Sequence, residues 1–182
     1  FIFLYLLIAI LNSTIVQSFL AAKVSDYFSK EWKAKVSIGG LEIRPLLTVG
    51  LKDVYLENPQ KDTIATVGYL EASLKNFEFI KGLEFSYVRL DDVNYDLTIE
   101  NHKLNLSFII DYFKSDKPKE EKEKAPYVIK VDRCKLNNVN FSLNLNDSPS
   151  PIPEFGVAVN HMQYNQINGV FDDIVVINDS IN

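Results

Sequence analysis

The 182-residue chain lacks most of the residue sets that build catalytic or cross-linked domains. Its single cysteine, Cys134, allows no intrachain disulfide and no cysteine-based metal cluster. A lone cysteine in a strand pattern reads as a small apolar packer. There are two histidines, His102 in a turn and His161 further on, and neither has another His or Cys at metal-ligand spacing. Asn160-His161 reads as a strand or turn element. No glycine-rich phosphate loop occurs, because Gly39-Gly40 sits within a strand pattern, where a bend or bulge is the plainer reading. Asp91-Asp92 and Asp172-Asp173 are adjacent on strand patterns. Neighbours on a strand leave on opposite faces, so neither pair converges on one substrate atom without a bulge. The formal net charge is −5 with no basic stripe, which argues against a nucleic-acid partner. The reading is a non-enzyme, with no catalytic residue, no metal and no cofactor.

What is present is apolar and strand-forming. Hydrophobic residues make up 47% and charged residues 24%, so the chain can bury a core and is not a disordered composition. Twelve Phe, nine Tyr and many β-branched residues favour strands.

Three zones follow one another. The chain opens on an apolar run, Phe1 to Leu11, which as helix would cover roughly half of a ~30 Å bilayer core. No clean small-x-small cleavage site follows, so an uncleaved anchor over 1–22 is favoured over a signal peptide. The run is expected to begin partway through a transmembrane helix, and the bulk of the chain to lie outside the cytoplasm. Val16, Phe19, Leu20, Val24, Tyr27 and Phe28 recur at spacings of three and four, an amphipathic helix over 16–33. It is expected to cap the sheet. The alternative places it at a membrane interface, with Tyr27, Phe28 and Trp32 as anchors. Residues 35–113 alternate apolar and polar, as in Val54/Leu56 and Val93/Tyr95/Leu97/Ile99, which suits a sheet wet on one side. Turn signals fall at Asn58 to Asp62, Lys81-Gly82 and Glu100 to Lys103. No helical period separates the strands, so an antiparallel meander is expected. Residues 114–126, KSDKPKEEKEKAP, read as a solvated, flexible loop. Alternation resumes over 127–182, broken by a Ser/Pro stretch at Asp147 to Pro153, and is expected to continue beyond the end.

A short pattern recurs four times: Leu51-Lys52-Asp53-Val54, Leu90-Asp91-Asp92-Val93, Leu136-Asn137-Asn138-Val139 and Ile167-Asn168-Gly169-Val170. In the first three, apolar positions change parity across the polar pair. An extra residue or bend is needed for that. A two-residue hairpin would also serve, but Lys52-Asp53 and Asp91-Asp92 lack the glycine that tight primed turns favour. Repeated bends would let the sheet curl about its apolar face. Repetition further suggests a quasi-one-dimensional architecture.

In order and spacing, these residues resemble the N-terminal region of TamB-domain proteins, AsmA-like members of the bridge-like lipid-transfer superfamily, in the form found in Bacteroidota. The resemblance covers nearly the whole chain. It rests on the anchor with Val16 to Ala21, Lys35 to Gly39, Leu51 to Glu57, Asn105 to Phe113, the Lys/Glu/Pro loop, Asn160-His161 and Asn178 to Ile181. Val157-Ala158-Val159 and Gly169-Val170-Phe171 depart from the expected residues. The resemblance implies a single-pass inner-membrane anchor with the bulk in the periplasm, and the start of a long β-trough. It further implies phospholipid movement towards the outer membrane, a role in outer-membrane biogenesis, and an Omp85-family partner.

A sheet with one apolar face must bury it. With no second helix between Lys35 and Phe113 to cover it, it can close as a barrel, pack a second sheet, or curl and leave an open apolar groove. Each acyl CH₂ removed from water is worth ~0.8 kcal/mol, so such a groove would hold lipid tails. Parity nominates Leu70, Leu74, Val93, Tyr95, Leu97, Phe141 and Leu143 as its lining. The fold expected is therefore mainly β, a transmembrane and amphipathic helix followed by a curled antiparallel meander forming an open groove. Two rivals remain. One is a scaffold for outer-membrane β-barrel assembly or protein translocation. The other is an anchored β-sandwich ectodomain with a dry interior, an adhesin or receptor.

Overall fold

A computed structural model of the chain describes residues 13–44, 47–78, 82–115, 127–146 and 160–178. The expected anchor run Phe1 to Leu11, the loop from Asp116 to Pro126 and the Val157/Val159 pair lie outside the described residues. The element order is α1 (Thr14–Trp32), β1 (Val36–Arg44), β2 (Thr48–Glu57), β3 (Thr63–Glu78), β4 (Gly82–Glu100), β5 (Lys103–Leu104), α2 (Ser107–Ser115), β6 (Tyr127–Leu145) and β7 (His161–Asn178). The fold is mainly β. One sheet runs in the order β1-β2-β3-β4-β6-β7, with β5 paired to the end of β4.

Strands β1 to β4 form the antiparallel meander that alternation implies. Its first long turn is tied by Asn58, whose Oδ1 accepts from the Asp62 backbone N–H at 2.8 Å and whose backbone N–H donates to the Asp62 carbonyl. Asn101 and His102 both take positive φ, 51° and 57°, between β4 and β5. That is the two-residue hairpin geometry whose twist matches the flanking strands.

Two expectations are corrected. The sheet is mixed, because β4 and β6 pair in parallel. Parallel neighbours need a crossover, and α2 lies on it. Ser107 to Phe113 falls within the expected β zone, 35–113, but is helical. Its Phe108, Ile109 and Tyr112 in fact fit one face of a short helix, which periodicity alone does not separate from a strand over so few residues. The sheet is also open and uncurled. Curling would need one strand to gain a residue over its neighbour. The motif's parity changes instead fall in register from β2 to β6, so the motif itself gives no strand an extra residue there; the register shifts of β2–β3 and β3–β4 lie elsewhere, at Leu56/Glu57 and between Ser73 and Asn76.

That alignment is the local device of the fold. Asp53, Asp92 and Asn138, the third residue of each of the first three motifs, take φ of 50°, 52° and 54° inside unbroken strands. No hairpin interrupts them. Asp and Asn are the non-glycine residues that tolerate this conformation best. Each left-handed residue sends two successive side chains to the polar face and returns the strand to its apolar side. β1 shows the outcome: Val36 and Leu41, five residues apart, are both buried, while Ser37 and Gly39 are exposed. Strands β1 and β3 lack the motif and place glycine in the same line. A Cβ on Gly39 would stand 2.9 Å from Asp53 Cβ, and one on Gly68 3.0 Å from Asp92 Cβ. The line therefore reads Gly39, Asp53, Gly68, Asp92, Asn138, and Asn138 Nδ2 donates to Asp92 Oδ1 at 2.7 Å. The fourth motif departs from expectation. In β7 left-handed residues fall at Gln166, one position ahead of the motif, where the register slips against β6, and at Asp173, beyond it.

Helix α1 seals the β1 edge. Ser29 Oγ accepts from the Val36 N–H at 2.9 Å and donates to its carbonyl at 3.0 Å. Ser25 Oγ accepts from the Ile38 N–H at 2.9 Å and donates to Ala21 O. Four helical residues rise about 6 Å and two strand residues about 6.6 Å, so the i, i+4 serines match alternate strand residues. Ala21, one turn earlier, is buried. The helix ends at Lys33, left-handed at φ 51°. The sheet-capping reading of this helix fits these contacts, whereas the expected apolar stripe does not stay covered: Phe19 and Tyr27 are exposed.

Asp53→Val is expected to lower stability by about 1–2 kcal/mol, since a β-branched residue resists φ near 50°. Asp53→Gly is expected to stay close to the parent. Thermal melts of the two variants would show no difference if the conformation carried no cost.

Candidate functional site

Cross-strand pairing converts the alternation into continuous rows. Ile38, Val54, Val67, Val93, Val139 and Ile167 pair in succession across six strands. On the other side of the left-handed line, Leu41, Leu51, Leu70, Leu90 and Leu136 form a second row that ends at Gly169. A third row runs Val36, Leu56, Ala65, Tyr95, Phe141 and Tyr164. Within it the rings of Tyr95 and Phe141 stack at 6.2 Å, and those of Phe141 and Tyr164 at 6.5 Å. Leu97 pairs Leu143, and Leu74 pairs Phe85. All seven nominated residues, Leu70, Leu74, Val93, Tyr95, Leu97, Phe141 and Leu143, thus share one face. The sequence reading did not extend the set to the leucine row, although Leu51, Leu90 and Leu136 each open a copy of the repeated motif.

This face has no second layer among the described residues. Apart from marginal touches, helix packing on the sheet is confined to α1 against β1. On this face Val93, Cys134 and Val139 are buried, while Val49, Tyr164 and Phe171 remain exposed. Among the described residues there is one sheet, with no second sheet packed against it.

The opposite face satisfies itself. Asn94 donates to Thr66 Oγ1 at 3.1 Å and Asn140 to Asn94 Oδ1 at 2.9 Å. Ser142 and Asn144 both donate to Asp96 Oδ1, and His161 Nδ1 meets Asn144 Oδ1 at 2.6 Å. A shallow recess of about 270 Å³ lies over these amides. Towards the other end, Glu42 is gripped by Arg44 at 2.7 Å and by Lys52, and Arg44 also reaches Glu71. Asp91 pairs with Arg89, while its neighbour Asp92 is held by Asn138. Both acids of that pair are engaged in structural contacts. No group of three or more His, Cys, Asp or Glu capable of holding a metal occurs among the described residues.

Tyr27, Phe28 and Trp32 lie where the helices meet. The Phe28 and Trp32 rings meet at a tilt, 4.5 Å apart, Trp32 meets Phe108 and Tyr112 of α2 edge-on at 6.4 Å each, and the Tyr27 and Tyr112 hydroxyls are 3.2 Å apart. Tyr27 keeps an exposed ring, while Phe28 and Trp32 are partly covered. No helix among the described residues is long and apolar enough to cross a membrane. No family model, no curated protein and no solved structure matches the chain.

Two titrations test this geometry. Hydrogen bonding from Lys52, reinforced by Arg44, holds the Glu42 carboxyl below its usual range despite partial desolvation. A depressed folded pKa adds stability that is present above the unfolded value, near 4.3, and is lost as pH falls through the folded value. Glu42→Gln is therefore expected to be less stable than the parent at pH 7, with the gap closing below about pH 4. An equal gap at pH 3 and pH 7 would remove the ion pairs from the account. Burial pushes the Cys134 thiol pKa up. Cys134 is expected to react with a maleimide at least about tenfold more slowly in the folded chain than in denaturant; equal rates would place it in open solvent.

Proposed function

We propose that the chain is a membrane-anchored lipid conduit, whose apolar face receives the acyl tails of phospholipid between the inner and outer membranes. The observation that carries this reading is the one-sided sheet. Rows of Leu, Val and aromatic side chains cross six strands on a face that no second layer covers among the described residues. Six strands at ~4.8 Å spacing give a floor about 24 Å wide, wider than the ~15 Å hydrocarbon depth of one leaflet. Tails lying along the rows would meet apolar surface throughout, and sliding would need no chemical step. Every CH₂ so covered contributes ~0.8 kcal/mol. The polar face, closed by its own amide and ion-pair contacts, stays in water. On this reading the apolar run Phe1 to Leu11 holds the chain in the inner membrane, the sheet stands in the periplasm, and an Omp85-family protein is the partner at the far membrane.

Native mass spectrometry with lipid extraction, on the full chain taken from membranes in detergent, tests this. Stoichiometric phospholipid is expected on the parent. Leu97→Asp places a charge on the apolar face and is expected to cut bound lipid roughly tenfold or more. Asn94→Asp, on the polar face, is expected to leave it unchanged. A folded parent free of lipid, or equal lipid on both variants, would overturn the reading.

A further inference from the structure

Helix α1 uses one side to hold the sheet. Ser25 and Ser29 bond to the β1 backbone there, and Ala21 is buried beside them. At 3.6 residues per turn, Phe19, Lys23 and Tyr27 lie about 120–160° round the helix from Ser25. Away from the sheet the helix is apolar and open: Ile15 is 81% exposed, Phe19 59% and Tyr27 54%. The Lys23 ammonium stands 5.6 Å from the centre of the Phe19 ring. Lys30 is exposed on the same side, with the exposed acids Asp26 and Glu31 on its two flanks. Rings and aliphatic chains set among lysines suit the boundary between hydrocarbon and headgroups. The lysine stem lies along apolar surface there, and its charge reaches the phosphates.

The backbone shows how α1 can meet such a surface. Ser13 is extended, at φ −67° and ψ 130°, and the helix opens at Thr14. α1 therefore starts anew and does not prolong the apolar run Phe1 to Leu11, which ends two residues earlier. Its open apolar side chains then extend over about 18 Å, from Ile15 to Tyr27. An upright helix would carry Tyr27 that far out from Ile15. A helix lying in the surface keeps these side chains at one depth.

We infer, on the membrane anchoring proposed above, that α1 lies in the plane of the membrane surface with Ile15, Phe19 and Tyr27 towards the lipid, and that the main strands stack away from the membrane in the order β1-β2-β3-β4-β6-β7. α1 runs antiparallel to β1, since Ser29 meets Val36 and Ser25 meets Ile38. With α1 flat, the strands lie along the membrane and each adds ~4.8 Å of height. The rows of Leu, Val and aromatic side chains cross the strands, so they rise along the membrane normal. Tails that follow the rows leave the bilayer.

Nitroxide labels on single cysteines test this in the full chain, on a Cys134→Ala background, in bilayers of phosphatidylethanolamine with a minority of phosphatidylglycerol. Phe19→Cys and Lys30→Cys replace exposed residues on the same side of α1. Power saturation with oxygen and with a nickel chelate reads the depth of each label. The two labels are expected at the headgroup boundary, within about 5 Å of each other in depth. A label at Arg133→Cys on β6 is expected in water. A depth difference near 16 Å, the rise of eleven helical residues, would stand α1 upright and overturn the inference while leaving the anchor and the lipid conduit intact. Both α1 labels in water on a membrane-bound chain would overturn it as well. A chain that separates from the bilayers on a density gradient would overturn the anchor and the inference together.

Discussion

A strand that alternates strictly can keep its apolar residues on one face only while their spacing stays even. Here the spacing is broken by a three-residue step in strand after strand, as between Leu51 and Val54 or Leu90 and Val93. One backbone conformation reconciles the two. A left-handed residue at Asp53, Asp92 and Asn138 turns two polar side chains to the wet face and lets the apolar set resume on the other. Its cost is small because Asp and Asn accept that conformation better than other side chains. Its crowding is relieved by Gly39 and Gly68 in the strands between. The leucine row, the valine row and the stacked aromatic row all depend on this line crossing the sheet in register. If one strand carried the step a residue earlier, its whole apolar set would turn outward. β7 shows the limit, since its step at Gln166 is met by a slip in pairing.

Much of this was readable from the residues. The repeated motif is local, and its Asp or Asn before Val is a backbone signal, so the position of the step could be named before any pairing was known. Parity then placed Leu70, Leu74, Val93, Tyr95, Leu97, Phe141 and Leu143 together. Three things were not readable. The parallel pairing of β4 with β6 depends on which edge a returning strand finds, and no local residue encodes that. Helix α2 is too short for its period to stand out from a strand. The absence of curling depends on the steps being aligned between strands, a property of pairs that single-strand patterns do not contain. The apolar stripe on α1 misled for another reason. What holds that helix to the sheet is the small, polar pair Ser25 and Ser29, which bond to backbone and carry no hydrophobic signature.

The division of labour between the faces bears on function. On the polar side, Thr66, Asn94 and Asn140 hand hydrogen bonds from strand to strand, and Asp96 gathers Ser142 and Asn144. Glu42, Arg44, Lys52 and Glu71 neutralise one another. Such groups have little left to offer a ligand. On the apolar side nothing equivalent occurs, because aliphatic rows cannot satisfy one another beyond their own contact and gain from any further hydrocarbon. The reading of a surface built for hydrocarbon rests on this asymmetry more than on any single residue.

The parallel step from β4 to β6 holds a constant offset of 46 residues from Gly82 to Ile99. Its alignment is set where Asp92 meets Asn138, within the strands, and not by the connection that joins them. The stretch between α2 and β6 is thus released from any duty of measurement. Lengthening it, cutting it or opening new termini there would leave every row on the sheet in place. Evolution could rewrite that stretch, or graft a recognition segment into it, without disturbing the surface beneath.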